Sequence, residues 1–132
     1  MMSKHKNLLI TAAMCLGMSA SAAVADNAQI STDLQIVMQR HIERSMIDGA
    51  IIHIDDEAGE IFKLFPTKAH ALIMKGADFF VLCADLKDEA GRSFEVDYYL
   101  VESPRGFKVV RTEVDNREVL KKMVRAGLVS KL

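Results

Sequence analysis

From Ala50 to Val114 the chain reads as a succession of short β-rich runs with little room to turn between them, and this restricts the fold more than any other feature. The runs are Ala50 to Ile54, Glu60 to Phe65, Ala69 to Met74, Phe79 to Leu86, Ser93 to Val101 and Phe107 to Val114. A parallel pair needs a crossover of about a dozen residues or more, and none of these gaps provides one. The strands are therefore expected to pair antiparallel, each with the next.

The gaps themselves carry turn chemistry. Asp55-Asp56-Glu57-Ala58-Gly59 is expected to close a hairpin with Gly59 at positive φ, and Pro66 to end the second strand because a proline cannot donate to a central ladder. Asp-Glu-Ala-Gly occurs at 56–59 and again at 88–91, each time between strand-like runs. Common turn chemistry accounts for this better than duplication, since the flanks agree only in being apolar.

Helical periodicity brackets the strands. Ser31, Thr32 and Asp33 offer an N-cap cluster, after which Leu34, Val37, Met38, His41 and Ile42 recur at three- and four-residue steps until Asp48-Gly49. At the other end, Asp115-Asn116 is expected to cap a helix from Arg117 to Ala126 with Val119, Leu120, Met123 and Val124 on one stripe. Gly127-Leu128 has the form of a Schellman stop. Helix, antiparallel meander of five to six strands, then helix is an α+β order with one sheet face packed on the helices.

The first 25 residues read as an export leader. Lys4, His5 and Lys6 make a positive start, Leu8 to Leu16 an apolar stretch, and Ala20 to Ala25 a run of small residues suited to cleavage after Ala25, or else after Ala22. The expected destination is the periplasm. An uncleaved leader would instead anchor the domain to the inner membrane, whereas the cleaved form has no stable membrane insertion. Residues 26–132, about 107 in all, suffice for a single α+β domain. Cleavage removes Cys15 and leaves Cys83 alone, so no internal disulfide supports the fold. It also removes Lys4 and Lys6, which moves the net charge from −1 to about −3 and gives no electrostatic reason for nucleic acid as a partner.

Catalytic signatures are missing from the sequence. It has no Gly-x-Ser-x-Gly elbow, no phosphate loop and no His-Glu-x-x-His, and the three mature histidines, His41, His53 and His70, have no Cys neighbour or i, i+4 partner. No catalytic residue, metal ligand or cofactor is assigned on this basis. Asp55-Asp56-Glu57 lacks the ligand spacing of a calcium loop and reads as a solvated turn. Cys83 lies in Phe79-Phe80-Val81-Leu82-Cys83-Ala84 and reads as a buried small hydrophobe. Arg117, Lys121, Lys122 and Arg125 form a basic side on the second helix, expected to be solvated.

One group of polar residues invites a pocket. Phe94, Val96, Tyr98 and Leu100 form one face of the fifth strand, and Glu95, Asp97 and Tyr99 the other. His53 points away from Ile52 and Ile54. A plain solvent face is the expected reading, and a ligand pocket using Asp97, Tyr99 and His53 or His70 is the hypothesis set against it.

Leu64-Phe65-Pro66, Ala69-His70, Met74, Phe80 to Asp85, Val96-Asp97-Tyr98-Tyr99 and Val114 to Arg117 together resemble a group of small exported proteobacterial proteins without assigned activity. A helix followed by a curved meander is similar to cystatin-like and NTF2-like folds, whose hosts range from inhibitors to pocket-bearing enzymes. The functional expectation is a non-enzymatic binding or interaction domain, with an unidentified protein or small molecule as partner. The alternatives are a carrier or small enzyme with a cleft between helix and sheet, and a homodimer formed by sheet pairing.

Overall fold

The computed structural model describes residues 19–132. The charged start and the apolar stretch that read as an export leader lie outside these residues. Helix α1 spans Ser19–Ser45, and the small two-residue strand β1 (Met46–Ile47) follows. The main strands are β2 (Ala50–Asp55), β3 (Glu60–Lys75), β4 (Phe80–Lys87), β5 (Ser93–Ser103) and β6 (Gly106–Val114). Helix α2 (Glu118–Arg125) and a short β7 (Ser130–Lys131) complete the chain. The sheet runs β1-β2-β3-β4-β5-β6 with every pair antiparallel, and β7 pairs with β3. The α+β class and the order of elements are those expected from the sequence. Among the described residues, no helix is long and apolar enough to cross a membrane.

Three local expectations change. Helix α1 does not begin at Ser31. It runs through the alanine-rich segment before it, which holds no Gly or Pro to stop a helix, and the Thr32 hydroxyl donates back to the Ala28 carbonyl at 3.0 Å instead of capping. The second and third expected strands are one strand, β3, and Pro66 does not end it. Pairing with β2 reaches Leu64 and pairing with β4 begins at Phe65, so Pro66 sits at a handover next to a register shift, a place where its missing N–H is tolerated. The α2 cap also differs: Arg117 is the N-cap and makes no side-chain cap bond, while Asp115 takes a left-handed turn at φ 53 and accepts from the Glu95 amide at 3.4 Å. At the other end the Schellman stop forms, with Leu128 N–H on the Met123 carbonyl and Gly127 N–H on the Val124 carbonyl.

The two Asp-Glu-Ala-Gly copies are turns in different registers. In the first loop Asp55, outside the repeat, accepts from the amides of Glu57 and Ala58; in the second Asp88, inside it, accepts from Arg92. Both end on a glycine at positive φ, Gly59 and Gly91.

Alternation gives the sheet two covered faces. Leu82, Leu86, Phe94, Val96, Tyr98 and Leu100 turn inward and meet Leu34, Met38 and Ile42 of α1. Each of these three helix residues is essentially removed from water, a gain of about 1.5–3 kcal/mol apiece. On the outer face Val81, Cys83 and Tyr99 form a second, smaller cluster with Leu120 of α2 and Val129. The short α2 thus covers only part of that face, and this partial cover shapes the site below.

Candidate functional site

A bulge in β3 generates the site. Ala69 pairs with Ala84 and Ile73 with Leu82, so His70, Ala71 and Leu72 together stand opposite the single residue Cys83. Extra residues in one strand bend it and re-aim its side chains. The His70 carbonyl accepts a 2.9 Å hydrogen bond from the Gln35 amide of α1, which fixes the bulge from the inner side. On the outer side His70 Nε2 lies 2.9 Å from an Asp85 carboxylate oxygen.

Between this bulge and α2 lies a cleft of about 330 Å³. His70, Leu72, Met74 and Cys83 line it from the sheet, and Leu120 and Val124 from the helix. Arg117 at the N-cap of α2 and Lys121 and Arg125 within it, spaced four apart, line the same cleft. Leu72 and Val124 are both about half exposed, so the apolar stripe of α2 is wider than the sheet surface that receives it.

Beneath the cleft lies Asp97, the one charged side chain buried among the described residues. Register places it opposite Cys83, whose thiol donates to Asp97 Oδ1 at 2.9 Å. Arg117 reaches back over the same strand, with Nη2 3.5 Å from Asp97 Oδ1 and Nε 2.9 Å from Glu95 Oε2. The two guanidinium nitrogens are close to these carboxylates but out of line for hydrogen bonding, so the pairing is mainly one of charge.

This environment makes Cys83 a donor and not a nucleophile. Burial, then the hydrogen bond and charge of Asp97, push its thiol up to about 12 from an ordinary 9.0. Because the folded value is raised, the unfolded chain loses the proton first. The stability that Cys83 contributes is therefore complete below about pH 9 and is lost as pH rises toward 12. Iodoacetamide at pH 8 is expected to label the native protein about a hundredfold or more slower than the urea-unfolded chain. Equal rates would show that the thiol is neither buried nor held by Asp97. The same enclosure bears on an intermolecular disulfide, since a sulfur buried and hydrogen-bonded beneath α2 cannot meet a second chain without undocking that helix.

The four residues considered for a pocket do not converge. His70 lines the cleft, and Asp97 underlies it. Tyr99 is buried on the same face against Phe79, where burial and then the charges of Asp97 and Glu113 lift its phenol to about 12. His53 lies on the inner face, stacked on Phe62. A wide polar crevice of about 770 Å³ opens beside His53 and His41, and three of its five carboxylates, Asp55, Glu113 and Asp115, already have partners. Asp55 caps its own loop, and Glu113 holds Arg111 and Asn116. The cleft lies under the second helix, on the outer face of the sheet, and not against α1.

The sequence reading pairs neither Cys83 nor Arg117 with Asp97. The signal for the first was present: a hairpin centred on the loop after Lys87 sets Cys83 opposite Asp97. Arg117 had no such signal, because its reach depends on how α2 leaves β6. No family model, curated protein or solved structure matches the chain.

Proposed function

We propose that this chain is an exported, non-enzymatic binding domain and that its working site is the cleft between α2 and the bulged outer face of the sheet. The observation that carries the reading is the pairing of an open apolar cleft with an inert floor. The thiol at its base is held protonated against Asp97, and the nearby histidine is paired with Asp85 at 2.9 Å. Apolar walls with a few fixed polar groups are the usual make-up of a small-molecule site, and walls set by a strand bulge and a helix are formed before the ligand arrives.

Leu72→Glu and Val124→Glu test it. Both positions are half exposed, so a carboxylate there is tolerated by the fold but spoils the apolar wall. The mature domain is expected to bind decanol, an aliphatic reporter followed by isothermal titration, at one site, and each variant to weaken that binding about tenfold with an unchanged circular dichroism spectrum. Reporter binding that ignores both substitutions would place the site elsewhere.

A further inference from the structure

Resting on the cleft as the binding site, we infer that its ligand is a free aliphatic carboxylate of medium chain length, with the chain along the bulge and the carboxylate at the basic edge of α2. The walls favour an aliphatic chain. Leu72, Met74, Leu120 and Val124 line the cleft with no Phe, Tyr or Trp among them, so a flat ring system would find only the Asp85-paired imidazole of His70 to stack on. Met74 adds an adaptable wall suited to a flexible chain. The volume, about 330 Å³, falls at the low end of the ~300–1,000 Å³ range of small-molecule sites and limits the length of chain that fits.

The charges favour an anion. The cleft lining holds three permanent cations, Arg117, Lys121 and Arg125, and no carboxylate, although the chain as a whole is slightly acidic. Arg117 is already matched by Glu95 and Asp97. Lys121 and Arg125 share one carboxylate, that of Glu118, at 3.1 and 3.8 Å. The three acids that pair with these cations, Glu95, Asp97 and Glu118, all stand outside the lining, so the charged groups that face the apolar cleft are cations. A monoanion with an apolar tail satisfies both features together.

Isothermal titration of the mature protein with decanoate, decanol and decyltrimethylammonium, each below its micellar concentration, tests the assignment. Decanoate is expected to bind about tenfold more tightly than decanol, and the cation not measurably. In the doubly substituted Lys121→Glu, Arg125→Glu protein, where both side chains are solvent-facing, the preference for decanoate is expected to vanish while decanol binding stays. Equal affinities for decanoate and decanol, or a preference that survives the double substitution, would overturn the anion assignment and leave the cleft as a site for neutral apolar molecules. No binding of any of the three would overturn the cleft as a binding site as well.

Discussion

Replacing Arg117 with Met is expected to destabilise the domain by about 2–3 kcal/mol, measured as a drop in the denaturation midpoint with an unchanged slope. The cause is the group left behind. Asp97 is 1% exposed and meets Arg117 at 3.5 Å, and without the guanidinium its charge is compensated only by the Cys83 thiol. Removing one member of a buried pair strands the other in a medium that solvates it poorly. The figure lies below the largest costs of this kind because the Arg117 side chain is itself 31% exposed, which screens the pair.

A second substitution isolates that cause. Asp97→Asn keeps an acceptor for the thiol and removes the charge, so its cost is expected to be about 1 kcal/mol. In Arg117→Met, Asp97→Asn the loss should fall below the sum of the single losses by 1 kcal/mol or more. Strict additivity would mean that Arg117 supports the fold by packing its stem and not by compensating Asp97.

Leu120→Asp is expected to undock α2 while the main sheet stays folded. Leu120 is the only buried residue of this eight-residue helix, and it sits with Val81, Cys83, Tyr99 and Val129. A helix this short has little stability of its own and depends on its docked face. Placing a carboxylate there sets a desolvated charge near Asp97, at a cost of several kcal/mol, and releasing the helix is the cheaper response. The inner core of α1 against β4 and β5 does not involve Leu120 and should persist. The informative readout is Cys83. Its iodoacetamide labelling at pH 8 should rise toward the rate of the unfolded chain while the circular dichroism of the sheet is retained. Labelling that stays slow with the sheet intact would show that something other than α2 shields the thiol.

Much of this architecture was legible before any coordinates because it rests on local physics. A left-handed glycine ends α2 with both bonds of its motif, Gly59 and Gly91 close their loops, and β5 divides into the two faces that its alternation requires. The errors share an origin in context. Pro66 breaks a strand paired on both sides, but pairing passes from β2 to β4 at its position, and no local pattern reveals that exchange. Ser31 to Asp33 have good cap chemistry, yet a cap is needed only where the preceding chain refuses the helix, and the alanines before it do not.

For the site the division is sharper. Parity along β5 ties Glu95, Asp97 and Tyr99 to one side, and the hairpin turn ties Cys83 to Asp97; both relations are properties of the chain itself. Which side of the sheet is covered is not. On β2 the apolar Ile54 is 63% exposed while His53 faces inward, and on β5 the carboxylate of Asp97 is buried. Period-two alternation says which residues share a face, but burial depends on what packs against that face from distant sequence. The docking of α2 across a bulge some fifty residues earlier turned a polar stripe into a buried ion pair, and a basic helix edge into the margin of an apolar cleft.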